Sequence, residues 1–465
     1  MHLELHPNAI KDMEYWKLVN QKNSQEIVSF FIFSPMKKSI LISFLLFSII
    51  NSLSAQFTIK IELPKDFSGN EAYLYSLNGS KDILIGKEKK QNNVLAFNNT
   101  KSYYGMMKVY FPETNASITF ISENRNVDLA FTFKNNKIND IDYKDAANKL
   151  FYNIQDVQKK REQILPALYQ LQSYYKNNSA FGEALKNEIF YLNSDVSYDP
   201  EEYKFIDYYT KNYQTYISTS VNKKQVAEDE IINFLNSTNN YLETSSLLKP
   251  ILMVFLSNTS KSNVDGEVDS LLKKIDLETP RGQTILSELI EIFDAYGLKD
   301  LKDKYLKEAQ SLKCSINERL IATIKSNQNT AIGQKISNNV FVSPTNTKAK
   351  SLYDVKAEKK IVIFWASTCP HCEKEIAEML IKYNELKSKN IEIVGLSLDT
   401  DSKSYSGKVK MLPWINDTEL KGWYSSYVDT YNVHATPTFY IVDSNNKILA
   451  SPDNFSGVLD FLGLK

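Results

Sequence analysis

Apolar and polar residues alternate in short runs from Phe57 to Phe133: FTIKIEL (57–63), EAYLYSL (71–77), DILIGK (82–87), NVLAFN (93–98), MMKVYFP (106–112), SITFIS (117–122) and NVDLAFTF (126–133). A period of two is that of a half-buried strand. Turn residues such as Asn78-Gly79 and Glu113-Thr114-Asn115 separate the runs. Many short strands with no helix between them predict an N-terminal all-β, sandwich-like domain, a small antiparallel sandwich or barrel, over 56–135.

The pattern then changes period. From 144 to 330 apolar residues recur at three and four, as in Leu150, Ile154, Val157 and Ile164, Leu168, Leu171, continuing through Phe234, Leu235, Leu242, Leu247 and Leu248. This predicts a central α-helical region. Pro200, Pro250 and Pro280 mark helix starts or breaks. Tyrosine pairs such as Tyr174-Tyr175 and Tyr208-Tyr209 follow no fixed repeat and read as aromatic packing within a bundle.

A third texture occupies 332–465. Residues 333–344 read as a loop and short strand, and IVIFWA (361–366) is a continuous apolar run of the kind buried in a parallel sheet. A helix is predicted from Pro370 to about Lys387, a strand at IEIVGLSLD (391–399), a helical stretch near 418–432, strands at 437–443 and 447–451, and a closing helix. The expected fold class is thus multidomain, with a C-terminal α/β domain in the order β-α-β-α-β-β-α.

Composition narrows the functions open to such a chain. Lys plus Arg and Asp plus Glu number 55 each among 465 residues, and the apolar share is 43%. A globular protein of several domains follows. Nothing in this balance suits a nucleic-acid partner, which calls for a basic face. The start of the chain carries a different signal. Lys37 and Lys38 precede an apolar run from Ile40 to Ile50, and Leu53-Ser54-Ala55 ends in a small residue. That is the order of a secretory signal peptide over 36–55, cleaved after Ala55. The run falls short of the roughly 20 residues that cross a bilayer, so membrane attachment is expected only through an uncleaved signal. Residues 1–35 then lie ahead of the expected true start at Met36.

The three cysteines are Cys314, Cys369 and Cys372, too few for a disulfide scaffold. The C-x-x-C pair reads as chemistry. Placed at a strand-to-helix junction, Cys369 occupies the N-cap, where free amides and the helix dipole favour a thiolate. Cys372 falls one turn in and is shielded. Pro370 suits the first helical position, which needs no N–H. Such a pair can attack a substrate disulfide and resolve the mixed disulfide, or run in reverse. Half a zinc site is the competing reading. No second C-x-x-C or C-x-x-H exists, and the histidines are His2, His6, His371 and His434, so neither metal nor cofactor is expected.

The segment FWASTCPHCEKE (364–375), with Trp365 before the cysteines, resembles the active site of the thioredoxin superfamily. Ala435-Thr436-Pro437-Thr438 looks like its cis-proline loop, which faces the dithiol and offers backbone groups to an extended substrate. A cis bond is therefore expected at Thr436–Pro437, against a plain strand-entry proline. The spacing, the entry led by Gly333 and Leu412-Pro413-Trp414 resemble the TlpA/ResA branch of exported bacterial thioredoxin-like proteins. A β domain followed by helices resembles multidomain members common in Bacteroidetes. The likeness is specific over 333–465 and architectural over 56–330. It implies a thioredoxin-like C-terminal fold with Cys369, Cys372 and Pro437 as working residues and Trp365, Pro370, His371 and Thr436 in support. By motif position Glu375 matches an acidic residue of this branch that could shuttle the Cys372 proton; the alternative is a surface-helix glutamate.

Two departures matter. Ile363 stands where thioredoxin carries a buried aspartate. The Pro-His dipeptide resembles DsbA-type oxidants, which implies a depressed Cys369 pKa and a raised potential, yet Thr436 and the absence of a DsbA-like helical insertion leave the direction open. A peroxidase is excluded by Val362 and Ala366, which occupy positions where peroxiredoxins carry Pro and Ser/Thr. Cys314 reads as a buried helical cysteine, Trp414 and Trp423 as core or rim aromatics, and His434 as structural. The expectation is an exported, periplasmic thiol–disulfide oxidoreductase, possible membrane anchoring included, with reductase, isomerase and oxidase directions open. Its partners would be client proteins bearing cysteines or disulfides and a redox partner of unknown identity. The alternative is a periplasmic binding protein whose thioredoxin-like domain is scaffold.

Overall fold

The computed structural model describes residues 56–134, 137–175, 179–219, 226–259 and 263–464. The expected signal peptide and the residues before it lie outside them.

Each of the alternating runs forms a strand: β1 (Phe57–Glu62), β2 (Glu71–Asn78), β3 (Lys81–Lys89), β4 (Val94–Asn99), β5 (Tyr104–Phe111), β6 (Ala116–Glu123) and β7 (Val127–Lys134). A further strand, β8 (Lys137–Tyr143), extends past the expected limit at 135. Its sequence, KINDIDY, is exposed or half-buried throughout, so it carries little apolar signal. The strands form two four-stranded sheets, in orders β4-β1-β7-β8 and β3-β2-β5-β6. One correction applies to the expected antiparallel pattern: β1 and β7 pair in parallel, with Ile59 opposite Val127. Strands so far apart in sequence need no tight turn, and so leave no turn signal. Phe67 fills the core beside them, edge-on to Phe111, Phe131 and Phe133 at centroid distances of 5.0, 5.2 and 4.9 Å.

Helices follow: α1 (Ala146–Gln163), α2 (Leu165–Gln172), α3 (Ala180–Asn193), α4 (Lys204–Asn212), α5 (Glu228–Ser237), α6 (Tyr241–Thr244), α7 (Leu248–Asn258), α8 (Val264–Lys274), α9 (Pro280–Ala295), α10 (Lys299–Ser311) and α11 (Glu318–Asn329). Their starts are written in side chains. Asp145, Ser179, Thr279 and Asn317 each accept the backbone N–H three residues on, satisfying amides the helix leaves unpaired. Pro280 takes the first position of α9.

Helix α9 is buried at every residue from Gly282 to Phe293. It carries charge into the core: Arg319 of α11 holds Glu291 at 2.5 and 2.8 Å and Glu288 at 3.2 Å. Glu288 also takes the Ser80 N–H at 2.6 Å and hydroxyl at 2.8 Å from the turn joining β2 to β3. The helical region and the first strands thus share one buried polar cluster. Cys314 corrects another expectation. It lies half-buried in the loop between α10 and α11, where its sulfur accepts Gln283 Nε2 at 3.3 Å. Helix α10 ends at Ser311, and Asn317 caps the next one.

The C-terminal elements are β9 (Lys359–Trp365), α12 (Pro370–Ser388), β10 (Ile391–Ser397), α13 (Ser402–Val409), β11 (Ile415–Thr418), α14 (Ser426–Thr430), β12 (Thr438–Asp443), β13 (Ile448–Ala450) and α15 (Phe455–Leu462). The sheet runs β11-β10-β9-β12-β13, with β9 central, parallel to β10 and antiparallel to β12. Helix α13 and strand β11 are additions to the expected order. The helix expected near 418–432 shrinks to a 3-10 turn at Gly422–Tyr424 and the short α14. Strand β11 reads INDT, too polar to suggest burial, yet all four residues are buried. Tertiary partners make that possible: Asp417 accepts the amides of Val342 and Ser343 and the Tyr427 hydroxyl at 2.9 Å. Gly395 in β10 is required by close approach, since a Cβ there would strike Asn416 Oδ1 and Trp365 Nε1.

Candidate active site

The dithiol sits where β9 turns into α12. Cys369 is the N-cap of that helix, with φ −89° and ψ 114°, and Pro370 follows at its first turn. The Cys372 amide donates to Cys369 Sγ at 3.3 Å. Cys369 is half-buried, whereas Cys372 has 0% exposure within a core that includes Trp365, Ile376 and Phe439.

Strand register brings the second half of the site into place. In the antiparallel pairing of β12 with β9, Thr438 stands opposite Phe364. Two residues earlier the chain must therefore run alongside the loop that carries Cys369. There the Thr436–Pro437 bond is cis, and the Cys369 thiol meets the Thr436 carbonyl at 3.4 Å.

The two sulfurs differ electrostatically. Burial pushes Cys369 upward, but hydrogen bonds from the Cys372 thiol, the Thr436 side chain and the amides of Cys372 and His371 outweigh it, and the net direction is below the ordinary thiol value. Cys372 is driven the other way, to about 12, first by burial and then by its neighbour Cys369. One sulfur is set up as thiolate and the other as a protected thiol.

An acidic residue absent from the sequence reading shapes the loop ahead of Cys369. Asp399, buried just past the end of β10, accepts Ser367 N–H at 3.1 and 3.0 Å, Ser367 Oγ at 2.6 Å and Ser397 Oγ at 2.6 Å. Its signal in the sequence was a lone aspartate closing an apolar strand, GLSLD. Glu375 has a different partner from the one expected of a proton shuttle: its Oε2 accepts the Phe455 N–H at 2.6 Å, tying α12 to the first turn of α15. Ile363, at the aspartate position of thioredoxin, is core. His371 is exposed beside the dithiol. Trp414 is buried, whereas Trp423 is 53% exposed. His434 is half-buried next to Asn432 and Asp294. Among the described residues, no group of three or more His, Cys, Asp or Glu side chains could hold a metal ion, and no helix is long and apolar enough to cross a membrane.

Residues 332–451 match the family model described as the AhpC/TSA family. They form a thioredoxin-like domain. Over 115 residues the chain is 26% identical to the thiol-disulfide oxidoreductase ResA of Bacillus subtilis, covering 24% of this chain and 62% of that protein. Over 112 residues it is 29% identical to the ResA of Bacillus cereus, covering 24% and 64%. The match thus spans less than two thirds of these relatives' own length. Among solved structures, a domain of a possible thiol-disulfide isomerase from Cytophaga hutchinsonii is similar at 26% identity and a TM-score of 0.26, covering 29% of this chain and 91% of that one. A thioredoxin-like protein from Bacteroides caccae is similar at 17% identity and a TM-score of 0.29, covering 51% and 94%.

Proposed function

We propose that this chain is an exported thiol–disulfide oxidoreductase of the bacterial periplasm, exchanging disulfides with protein cysteines through Cys369 and Cys372. The observation that carries the reading is the meeting of three groups at one point: Cys369 Sγ, the Cys372 amide at 3.3 Å and the Thr436 carbonyl at 3.4 Å. Helix α12 favours charge on that sulfur. The facing loop offers a carbonyl where an extended client peptide would lie. The curated relatives named thiol-disulfide oxidoreductases support the same reaction class.

The reaction follows from the two sulfurs. Cys369 thiolate attacks one sulfur of a client disulfide, forming a mixed disulfide and expelling the client's other sulfur as thiolate. Cys372 gives its proton to the expelled client thiolate, attacks Cys369 Sγ and releases the second client sulfur as thiolate. Two electrons pass to the client, and the chain is left with a Cys369–Cys372 disulfide, which a separate redox partner reduces. Run backward, the same steps oxidise a client dithiol. The dithiol is the redox centre, so no cofactor takes part. Pro370 and Trp365 shape the helix start, Pro437 shapes the facing loop, and His371 stands beside the thiolate. Export rests on the signal-like order of residues 36–55.

Insulin reduction tests the reading. The full chain should reduce insulin disulfides with a thiol regenerant, and Cys369→Ser should remove that activity. Cys372→Ser should stop at a trappable mixed disulfide. If the chain and Cys369→Ser are equally inactive, the domain is a scaffold. The reduction potential of the couple then assigns direction: near −120 mV (the DsbA value), it donates disulfides; near −270 mV (the thioredoxin value), it reduces them.

A further inference from the structure

The helical region touches the thioredoxin-like domain just ahead of the loop that faces Cys369. Asp294, at the end of α9, accepts Asn432 Nδ2 on its Oδ2 at 2.8 Å and lies 3.7 Å from His434 Nε2. Lys302 of α10 holds its other oxygen at 3.0 Å. Asn432 and His434 are joined to each other at 3.0 Å between Oδ1 and Nε2. Asn432 adopts φ 51°, a left-handed conformation that asparagine tolerates better than most residues. Burial pushes the His434 imidazole below its ordinary value against the raising pull of Glu291 and Asp294, so a neutral ring meets the carboxylate at neutral pH. Two residues past His434 stands Thr436, with its carbonyl on Cys369 Sγ and its side chain favouring the thiolate.

A carboxylate clamped by a lysine is a stiff anchor, and hydrogen bonds to it exceed neutral ones in strength. The segment from Asn432 to Thr436 is short enough to pass a displacement at one end to the other. We propose that Asp294, a residue of the helical region, is a positioning residue for the dithiol: by holding Asn432, which in turn bonds His434, it sets where Thr436 stands against Cys369. The upstream helices are then part of the active-site architecture. This rests on the reading of Cys369 and Cys372 as the working pair.

The test compares full-length variants by two readouts: the pH profile of Cys369 alkylation, resolved by peptide mass, and kcat and KM for insulin reduction. Asp294→Ala should move the alkylation midpoint to higher pH, slow the reaction at neutral pH about 2- to 10-fold, the scale of one hydrogen bond, and raise KM more than it lowers kcat. Asn432→Gly keeps the left-handed backbone, deletes the donor and should do the same; it decides the matter if Asp294→Ala does not fold. Asp294→Asn leaves one acceptor oxygen for Asn432 but none for Lys302 and removes the charge, so its shift should fall between wild type and Asp294→Ala. Lys299→Ala removes a neighbouring docking contact, 2.9 Å to the Ser451 carbonyl, without touching the loop, and should also leave the profile in place. The proposal is overturned if folded Asn432→Gly has the wild-type profile and KM, or if Lys299→Ala shifts them equally. Failure of the underlying reading looks different: Cys369 of the wild type would alkylate no faster than an ordinary thiol, and Cys369→Ser would match wild type in turnover.

Discussion

Residues 361–365 of strand β9 and residues 282–293 of helix α9 are both sealed from solvent, by opposite chemistry. Strand β9 is apolar along Ile361–Trp365, and its backbone groups are consumed by β10 on one side and β12 on the other. Helix α9 satisfies its own backbone and brings two carboxylates inside, where both pair with Arg319 and Lys81 Nζ stands 3.8 Å from Glu291. The strand's burial depends on side-chain type and is additive with apolar area. The helix's burial depends on a match among Glu288, Glu291, Arg319 and Lys81. Removing one partner leaves the others stranded in a medium that cannot solvate them. The sheet should therefore tolerate conservative change, and the helix should fail abruptly.

Arg319→Ala is the sharpest way to break that contrast. It leaves Glu288 and Glu291 buried without their cation and should destabilise the chain by about 3–5 kcal/mol, read as a fall in the denaturant midpoint. Ile363→Val in β9, also fully buried, should lose only about 0.5–1.5 kcal/mol. Equal losses would remove the distinction.

Acid provides a graded version. Burial pushes the Glu291 carboxyl up, but the Arg319 guanidinium overrides it and holds the group at about 2, below its ordinary 4.5. A carboxyl lowered on folding adds stability that is complete above its unfolded value and is lost as pH falls through its folded value. Stability should thus decline between about pH 4.5 and 2. Glu291→Gln, though less stable at neutral pH, should show a flatter decline over that window. A variant with the wild-type slope would assign the acid sensitivity elsewhere.

A more local effect is expected at the dithiol loop. Asp399→Asn exchanges an acceptor-only carboxylate for an amide that cannot accept from both Ser367 and Ser397 in the same way. A loss of about 1–2 kcal/mol should follow, with slower Cys369 alkylation because the loop before it loosens. Unchanged alkylation in a folded variant would confine Asp399 to stability.

The local patterns explain how much could be read without coordinates. Runs β1, β2 and β4 to β7 showed their period because one face is more buried than the other, whereas β3 is exposed or half-buried throughout. Helix α12 was legible because Pro370 follows a capping cysteine. The C-x-x-C pair and Thr436-Pro437 stood out as a short motif and a loop; that they face each other was expected from the family resemblance and not from any local pattern. Strand β11 and helix α13 were missed: INDT and SKSYSGKV look like surface, and β11 is buried because residues 342–345 and Tyr427 cover it while β10 pairs with it. Cys314 was placed in a helix on local apolar spacing, but the Asn317 cap starts a new helix and leaves it in a loop. Glu375 was singled out by its place in a motif; the partner its carboxylate takes, the Phe455 amide 80 residues away, left no local signal.

By itself the sequence determined what depends on near neighbours: strand and helix periods, caps, the thiolate-favouring position of Cys369 and the shielded one of Cys372. Those follow from backbone geometry repeated every two or 3.6 residues. Tertiary structure alone decided which distant groups meet: Thr436 with Cys369, Asp399 with Ser367, Asp294 with Asn432, and Arg319 with two glutamates. Such pairs are chosen by the packing of whole elements, and no local period encodes which charge will face which.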